Sequence, residues 1–599
     1  MDSNATLYES QAANRKGANS IKFLIKGTEK NPGAIGAKLK LTTDSGSQWH
    51  ELYTVRGYLS SIDPAVVFGI KNNESASLII TWPDGEISKI SSLEANKTYV
   101  IDYYETEKEK VLDLEKQSKI FSNIKSSGIT FQHKEDDFND YQKQVLLPHS
   151  QSNVGPSIVK GDINGDGLDD VFVGGAAGQS GILYIQNISG EFFEIKGPWN
   201  QDIQYEDTGG LFFDSDGDND LDLYIVSGGA HLAENDLLYQ DRLYINDGKG
   251  NFNKASKNIP IILISGQAVA ASDIDGDGDQ DLFIGGRITP DQYPYAPNSY
   301  LLINNNGKFT KQQIEVNQMV SSALFSDYDS DGDDDLITVG EWSPIKIFNN
   351  ENGSLSPANI ESLNETTGLW FSLAENDLDQ DGDIDYFIGN IGLNTKFKVN
   401  DKKEFHIYSH DFDSNGTYDI VLSSNYNGNL VPSRGRECSS EQMPFIKDKF
   451  EDYRSFANAT LDDIYGEKLN EALHYEANIL YSVFLENMGD GSFKIKKLPW
   501  QSQLAPISSF SVTDINNDGF NEVITVGNLY NVEVETVRYD SSRGSILSFS
   551  NGEFNALSHL ETGFITTGDS RGICTIKNNS QTTLLVTNND GSLDIFKSN

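Results

Sequence analysis

The sequence predicts an all-β protein built around a seven-bladed β-propeller, with a small N-terminal β-domain and a helical insertion; eight blades are the alternative count. Three observations lead to this prediction. A nine-residue acidic loop occurs seven times between residues 162 and 522, an apolar run of strand type follows each copy, and the first hundred residues alternate apolar and polar positions.

The acidic loops follow the pattern D-x-[DN]-x-[DN]-[GN]-x-x-[DE]. They begin at Asp162, Asp214, Asp273, Asp327, Asp377, Asp411 and Asp514. Side-chain oxygens at positions 1, 3, 5 and 9, together with the main-chain carbonyl of position 7, can surround a cation that prefers six to eight oxygens at about 2.3–2.6 Å. The loops therefore predict up to seven bound Ca²⁺ ions.

The predicted metal ligands fall into seven sets of five, one set for each loop. In chain order they are Asp162, Asn164, Asp166, Leu168 and Asp170; Asp214, Asp216, Asp218, Asp220 and Asp222; Asp273, Asp275, Asp277, Asp279 and Asp281; Asp327, Asp329, Asp331, Asp333 and Asp335; Asp377, Asp379, Asp381, Asp383 and Asp385; Asp411, Asp413, Asn415, Thr417 and Asp419; and Asp514, Asn516, Asp518, Phe520 and Glu522. Because the last two sets depart most from the pattern, their occupancy is left open.

A helix-loop-helix calcium site is the main rival interpretation of these loops. Such a site needs a bidentate glutamate at position 12 and a helix on each side. Position 12 is Val173 in the first copy and Ile284 in the third, and the flanking sequences are of strand type. Position 6 is glycine in six copies and Asn219 in the second, as expected where the chain turns sharply between ligands.

The net charge of -43 excludes one class of partner. The seven loops hold 31 of the 89 acidic residues, so calcium would neutralise much of this charge. A chain this acidic lacks the basic footprint that nucleic acids require. No run of 18 apolar residues predicts a membrane span, and no signal peptide is recognisable at the start of the sequence. Two cysteines, Cys438 and Cys574, form either one bridge or none.

The spacing of the loops matches propeller blades. The first five begin 52, 59, 54 and 50 residues apart, and each full unit contains four strands. The next interval, 34 residues, is too short for a whole blade, so the loops at Asp377 and Asp411 are assigned to one enlarged blade. A last unit at 569–596 carries a degenerate loop, and a strand at 129–134 is expected to close the ring by joining it.

The predicted domains follow from these patterns. Residues 1–18 are either disordered or vector-derived, 19–104 form the small β-domain, 105–128 form a charged helical linker, and 129–599 form the propeller. Within it, 432–478 show helical spacing and form the inserted cap, whose role is either a wedge against a blade or a lid. In the β-domain, Trp49, Trp82 and Tyr58 are expected in the core rather than at a ligand.

Two segments resemble known families. The acidic loops followed by strands such as FVGG and FIGG resemble FG-GAP/VCBS repeats, the calcium-loop propeller units also found in integrin alpha chains. The segments NPGAIGAKLKLTT, RGYLSSIDPAVVFGI and LIITWPDGEI resemble the ASPIC/UnbV module that accompanies such propellers in cartilage acidic protein-like and bacterial surface proteins. The resemblance implies adhesion or binding and an extracellular, cell-surface or periplasmic location. It also implies that this chain is the C-terminal part of a longer exported protein with a further propeller upstream.

The predicted function is non-enzymatic binding of a surface protein or a glycan by a calcium-stabilised propeller. The candidate ligand-binding residues are arginines and aromatics expected on one rim, where they would suit an anionic or sugar ligand: Arg242, Arg287, Tyr293, Tyr295, Trp342, Arg434, Arg436, Arg538 and Tyr539. The competing interpretation is that these arginines pair with nearby acids and the rings fill gaps. The alternative function is a propeller-based polysaccharide lyase or hydrolase acting on acidic glycans. No catalytic residues are assigned, because the sequence shows no nucleophile motif and no acid pair outside the loops.

Overall fold

The computed structural model describes residues 8, 9, 11, 18–71, 75–109, 118–125, 127–400, 403–578 and 581–599. The chain divides into two compact units, residues 1–117 and 118–599. Most of residues 1–18 lie outside the described residues.

The first unit contains two sheets whose strands are mainly antiparallel. Its strands are β1 (Ala18–Lys26), β2 (Lys38–Thr43), β3 (Gly46–Glu51), β4 (Val66–Lys71), β5 (Ala76–Thr81), β6 (Ile87–Leu93) and β7 (Thr98–Asp102). One sheet has the order β4-β1-β7, with β1 and β7 parallel, and the other has the order β3-β2-β5-β6. Strands β2, β4 and β5 bury alternate residues, which is the two-residue periodicity expected of strands with one face on a core.

The aromatic residues of this unit divide between core and surface. Trp82 is buried, and its indole N–H donates to the Ser88 hydroxyl at 2.9 Å. Trp49 and Tyr58 are 66% and 84% exposed, so the prediction that they belong to the core is wrong. Trp49 lies on the edge strand β3, where the Lys40 ammonium is 5.0 Å from the centroid of its ring.

The second unit contains seven four-stranded antiparallel blades. Their strands are, blade by blade, β9 (Ile158–Gly161), β10 (Asp170–Val173), β11 (Ile182–Gln186), β12 (Phe192–Ile195); β13 (Asp207–Phe213), β14 (Asp222–Ser227), β15 (Arg242–Ile245), β16 (Asn253–Lys254); β17 (Ser265–Ser272), β18 (Asp281–Ile288), β19 (Ser299–Ile303), β20 (Thr310–Ile314); β21 (Met319–Ser326), β22 (Asp335–Ser343), β23 (Lys346–Asn350), β24 (Leu355–Pro357); β25 (Gly368–Asn376), β26 (Asp385–Asn390), β31 (Val483–Asn487), β32 (Phe493–Lys497); β33 (Ser509–Thr513), β34 (Glu522–Val526), β35 (Ser545–Ser550), β36 (Glu553–Ala556); and β37 (Asp569–Asn578), β38 (Gln581–Asn589), β39 (Asp594–Ser598), β8 (Phe121–Asn123).

These blades form a closed ring, which confirms the predicted seven-bladed propeller. The first strands β9, β13, β17, β21, β25, β33 and β37 contact one another in this order, and β37 contacts β9 again. The fifth blade is the enlarged one, because the chain leaves it after β26 and returns at β31. Each blade still has a short outer edge strand, and the closed ring packs every blade between two neighbours, which stabilises the short strands together.

The strand that closes the ring differs from the prediction. Strand β8 pairs antiparallel with β39, with Phe596 opposite Asn123 and Ser598 opposite Phe121. The segment 129–134 instead makes one isolated bridge, between Gln132 and Ser592. The closing strand therefore comes from the region assigned to the helical linker. The described residues of 105–128 contain no helix, and 110–117 and 126 lie outside the described residues.

The core lies between neighbouring blades. Phe172 packs towards blade 2, whereas Val171 and Val173, on the opposite face of the same strand, pack towards blade 7. The same alternation holds in blade 5, where Tyr386 faces blade 4 and Phe387 faces blade 6. The second strands therefore bury both faces, which explains why their sequences are continuously apolar rather than alternating.

The insertion in blade 5 contains a sheet as well as helices. Its strands are β27 (Phe405–His410), β28 (Asp419–Tyr426), β29 (Asn429–Pro432) and β30 (Leu473–Ala477), in the order β29-β28-β27-β30, and its helices are α1 (Arg436–Gln442), α2 (Phe445–Lys449), α3 (Tyr453–Ala457), α4 (Leu461–Tyr465) and α5 (Lys468–Glu471). The helices cover one face of the sheet, and the other face packs against Tyr293, Trp342 and Leu369 of the blades. This packing favours the wedge role over the lid.

Shorter elements complete the unit. A helix, α6, spans His559–Thr562, and short 3-10 helices span Asp140–Gln142, Pro198–Gln201, Leu237–Tyr239, Glu361–Leu363 and Trp500–Gln503. Cys438 and Cys574 are both free thiols. Among the described residues, no helix has the length and apolar character needed to cross a membrane.

Candidate functional site

The acidic loops occupy equivalent places in the blades. In blades 1 to 6 each loop joins the first strand to the second, and the remaining loop, at Asp411, joins β27 to β28 in the insertion. All six blade loops therefore lie at the same end of the propeller, because first strands of a propeller run in the same direction. Local sequence dictates this placement, since the motif follows the first strand of each of these blades directly.

Each loop is folded by hydrogen bonds from its backbone to its own acidic side chains. In all seven loops the N–H of position 6 donates to the position 1 carboxylate at 2.8–3.2 Å. The N–H of position 7 donates to the position 5 side chain at 2.7–3.1 Å. These bonds bend the chain around a common centre, which turns the side-chain oxygens inward.

The sharp turn predicted at position 6 is present in every copy. The six glycines have φ between 84° and 104°, and Asn219 has φ 67°. A Cβ built on any of the six glycines meets no atom within 4 Å, so the left-handed backbone, rather than lack of space, explains the glycine.

Carboxylate oxygens converge within the loops. In four loops, three of them come within 4.8 Å of one another: Asp214, Asp216 and Asp218; Asp273, Asp275 and Asp281; Asp327, Asp329 and Asp335; and Asp377, Asp379 and Asp381. Like charges this close repel one another unless a cation or protons neutralise them. The set consists of hard oxygen donors without nitrogen or sulfur, which is the donor chemistry of Ca²⁺ and Mg²⁺.

The carboxylate at position 9 is the buried member of each set. In all seven loops this residue is at most 3% exposed. In the third loop, Asp281 accepts from the backbone N–H groups of Ile274 at 3.2 Å and Asn304 at 2.7 Å. Burial, reinforced by the neighbouring aspartates, raises the pKa of Asp281 to about 6 and the pKa of Asp335 to about 7. Ionised carboxylates are therefore costly here in the metal-free loop, and a bound cation would relieve that cost.

An asparagine on the next blade ties each of four loops to its neighbour. In blades 2 to 5, the side-chain N–H₂ of an asparagine at the end of the third strand donates at 2.7–2.9 Å to the position 2 carbonyl of the preceding loop. The pairs are Asn246 to Ile163, Asn304 to Ser215, Asn350 to Ile274, and Asn487 to Tyr328. We call this set the asparagine ladder. It couples the loop geometry of one blade to the position of the next.

The sixth loop differs from the others. The Lys468 ammonium donates to the carbonyl of Phe412 at 2.8 Å and to the Ser414 hydroxyl at 2.9 Å, so a positive charge already lies beside the loop. Position 5 of this loop is Asn415, whereas the other six copies have aspartate there. An uncharged side chain at that position and a nearby lysine would both weaken cation binding by this loop.

Three of the candidate ligand-binding arginines are buried in ion pairs. Arg242 donates to Asp207 at 2.7 Å and lies over the Tyr205 ring, at 4.3 Å from its centroid. Arg434 contacts Glu533 at 2.5 Å. The third, Arg287, belongs to a larger buried cluster.

This buried cluster centres on Glu341, whose side chain is fully buried. Its carboxylate pairs with Arg287 and accepts from the Tyr293 hydroxyl at 2.6 Å, and His149 Nε2 lies 3.1 Å away. The Trp342 indole N–H donates to the Tyr293 hydroxyl at 2.6 Å. Burial alone would raise the pKa of Glu341, but His149 and Arg287 together lower it well below its usual range. The structure therefore brings three of the predicted residues together as an internal polar network.

The other candidate residues are spread out. Tyr539 is buried, and its hydroxyl lies 2.8 Å from that of Thr395. Arg436 donates to the carbonyl of Phe450 at 2.7 Å. Arg538 is about half exposed and stacks on the Tyr530 ring at 3.9 Å from its centroid. Tyr295 is half buried and lines a cleft. Ligand binding by this set stays a prediction, although most of its members have protein partners, as the competing interpretation expected.

The cleft beside Tyr295 has a volume of about 510 Å³. It lies between the connection that enters β17 and the connection from β18 to β19, at the end of blade 3 opposite the acidic loop. Tyr295 and Tyr300 supply aromatic surface, and Gln292 and Asn298 supply hydrogen-bonding groups. Sequence reasoning named Tyr295 as a rim residue but did not name Tyr300, Gln292 or Asn298, because only the fold brings their segments together.

Sequence reasoning also missed a pair of buried glutamates outside the acidic loops. Glu135 and Glu206 are 8% and 4% exposed. Burial raises the pKa of Glu135 to about 7, and burial together with the nearby Glu135 raises the pKa of Glu206 well above its ordinary value. The two residues lie far apart in sequence and share no motif, so no sequence signal could have paired them.

Comparisons with known proteins agree with the architecture. The protein-family model described as "ASPIC and UnbV" matches residues 27–108, and the family model described as "FG-GAP-like repeat" matches residues 214–284 and 327–388. The chain therefore contains an ASPIC/UnbV domain followed by FG-GAP-like repeats on a propeller, which are features of a propeller-type binding or adhesion module. Cartilage acidic protein 1 of Xenopus tropicalis is 39% identical over 70 residues, which is 12% of this chain and only 11% of that protein.

Solved structures give weaker likenesses. One match is a lectin from Agrocybe aegerita, whose structure was solved to explain its recognition of non-reducing terminal N-acetylglucosamine. It has a TM-score of 0.34 at 13% identity, and the match covers 74% of this chain and 85% of the lectin. The Dos1 propeller has a TM-score of 0.34 at 10% identity, covering 78% of this chain and 95% of its own. The propeller assignment made above rests on the strand order and ring contacts of this chain.

Proposed function

We propose that this chain is a calcium-stabilised propeller that binds a protein or glycan ligand outside the cell or in the periplasm. One observation carries the metal part of this proposal. Seven loops share one hydrogen-bond pattern, and that pattern gathers hard oxygen donors around a common centre beside a buried carboxylate. When bound, Ca²⁺ would supply positive charge and fix the geometry of the turn.

The residues that would hold the ions are those at positions 1, 3, 5, 7 and 9 of each loop, as predicted from the sequence. Ca²⁺ suits them better than Mg²⁺, because Mg²⁺ demands near-ideal octahedral geometry and keeps several waters. The position 9 carboxylate also accepts from the third strand of its blade, as Asp281 does from Asn304. Calcium would therefore stabilise both the turn and, through the asparagine ladder, the contact with the preceding blade.

Calcium removal tests this part directly. Sites with dissociation constants near 10⁻⁴ to 10⁻³ M contribute about 0.4–1.4 kcal/mol each in millimolar calcium, so six or seven sites give about 2–10 kcal/mol. We expect EDTA to lower the melting temperature by several degrees and calcium, but not potassium, to restore it. Elemental analysis should find six or seven calcium ions per chain, with the loop at Asp411 the first to empty.

A substitution identifies the loops as the binding sites. Asp275→Ala removes a predicted ligand whose one described backbone bond is long, 3.3 Å from the Asp277 N–H, so little structure is lost. We expect one fewer calcium ion per chain, whereas the exposed Glu351→Gln should leave the count unchanged. The calcium assignment would be contradicted if Asp275→Ala bound as many calcium ions as the parent chain, or if EDTA left the melting temperature unchanged.

The cleft beside Tyr295 is the surface that we assign to the ligand. Tyrosine rings on rigid connections present large, amphipathic contact surface, and amide side chains supply hydrogen bonds suited to a sugar or a peptide. The cleft lies at the end of blade 3 away from the acidic loop, so ions and ligand do not compete for the same residues.

The ligand test starts from a screen of glycans and surface proteins in calcium. We expect Tyr295→Ala to weaken a hit by about fivefold or more, because an aromatic contact of this kind contributes on the order of 1 kcal/mol or more. Tyr426→Ala, on the exposed end of β28, is the matched control and should bind normally. Hits that bind both variants equally would refute this surface while leaving the calcium assignment intact.

A further inference from the structure

We propose that His406, His474 and Glu476 form a transition-metal site of the Zn²⁺ class, separate from the acidic loops. The three residues lie on the paired strands β27 and β30 of the insertion. His406 is opposite Glu476 and Tyr408 is opposite His474 in the register. Residues directly opposite each other, and residues two apart on one strand, share a face of the sheet, so the three side chains project together.

The distances suit a transition metal. His406 Nδ1 lies 3.0 Å from His474 Nε2 and 3.8 Å from Glu476 Oε2, and one ligand atom of each residue comes within 4.8 Å of the others. With metal–ligand bonds of about 2.0–2.1 Å, the ligand atoms of a tetrahedral zinc site lie about 3.4 Å apart. Side-chain shifts of a few tenths of an ångström would bring these atoms to that spacing.

The donor set distinguishes this site from the loops. Two imidazole nitrogens and one carboxylate oxygen favour Zn²⁺, Cu²⁺ or Ni²⁺ over Ca²⁺, which prefers oxygen ligands only. Three protein ligands leave a fourth position open, as in zinc sites that bind water or a further ligand. His474 and Glu476 are both exposed, so the open position would be accessible to solvent.

The surroundings hold the ligands in place. His406 is buried, and its other ring nitrogen, Nε2, lies 3.7 Å from Glu404 Oε2 without a hydrogen bond to satisfy it. A carboxylate in that position orients a metal-bound histidine and selects the tautomer that leaves Nδ1 free for the metal. The Tyr408 ring stacks on His474, with centroids 4.2 Å apart and planes 8° apart.

The experiment uses the full chain in millimolar Ca²⁺, so that the acidic loops are saturated, and titrates Co²⁺ and then Zn²⁺. We expect one Co²⁺ per chain with the intense visible absorption of tetrahedral coordination, displaced by one Zn²⁺. His474→Ala and Glu476→Gln change exposed residues, so circular dichroism and melting in calcium should match the parent chain. Each should weaken Zn²⁺ affinity by about 10- to 100-fold or more.

His410→Ala is the matched control, because His410 lies on the same strand four residues from His406 and outside the cluster. It should keep the cobalt spectrum and the zinc affinity. The proposal is overturned if the parent chain shows no tetrahedral cobalt spectrum in calcium, or if His474→Ala and Glu476→Gln bind zinc as tightly as His410→Ala does.

Discussion

Replacing Asn304 with alanine tests whether the asparagine ladder holds neighbouring blades together. Asn304 is 2% exposed, and its side chain makes three described hydrogen bonds. Its N–H₂ group donates to the carbonyls of Ser215 at 2.9 Å, in the preceding blade, and of Gln280 at 3.1 Å, and its oxygen accepts from the Gly307 N–H at 3.0 Å.

The cost follows from these three bonds. Each buried hydrogen bond contributes about 0.5–1.5 kcal/mol, and the groups left without a partner add to the loss, so we expect about 2–4 kcal/mol in total. The unit unfolds with an entropy of about 2 cal/mol/K per residue, or roughly 1 kcal/mol/K for a propeller of this size. Asn304→Ala should therefore lower the melting temperature by about 2–4 °C in saturating calcium.

The measurement is a thermal melt followed by circular dichroism, in calcium and in EDTA. Asn305→Ala, at the exposed neighbouring position of the same hairpin, is the control and should melt within experimental error of the parent chain. If Asn304→Ala melts like Asn305→Ala in both conditions, the ladder does not stabilise the interface between blades 2 and 3.

Two further substitutions probe buried charges. Glu341→Ala leaves Arg287 buried without its carboxylate, so we expect a loss of about 3–5 kcal/mol of stability, measured as a melting temperature several degrees lower. The melting temperature of Glu341→Gln should lie between those of Glu341→Ala and the parent chain. An unchanged melting temperature would show that the cluster is not stabilising. For Glu206 the pKa in the folded protein is raised by burial above the ordinary 4.5. Its contribution to stability is therefore complete below about pH 4.5 and is lost as the pH rises through the raised value. Glu206→Gln should melt higher than the parent chain at pH 8 and lose this advantage at pH 5, whereas equal differences at both pH values would contradict a raised pKa.

The local features of this protein could be predicted from its sequence. The loop oxygens come from nine consecutive residues, so their spacing alone predicts the turn at Gly167 and Asn219 and the inward set of carboxylates. Seven blades could be favoured over eight, because five of the blades are contiguous runs of four strands. The enlarged fifth blade followed from one interval that was too short for a complete unit.

Features that depend on distant segments could not be predicted in the same way. The closing strand at Phe121–Asn123 was mistaken for part of a linker, because a three-residue strand has no periodicity of its own. Arg242, Arg287 and Arg434 were expected at a ligand-binding rim, but their direction depends on which acids the fold brings near them. Trp49 was expected in the core because sequence does not show that its strand lies at an edge.

The sequence by itself determined the acidic turns and the all-β class, and it favoured seven blades over eight, because these features depend mostly on residues that are neighbours along the chain. Only the tertiary structure decided which side chains meet across blades and insertions. The asparagine ladder, the Glu341 cluster and the pairing of His406 with His474 join residues that are dozens of positions apart. Packing between blades and pairing of the insertion strands place these residues together, and the pattern of hydrophobic and polar residues along the chain does not specify those contacts.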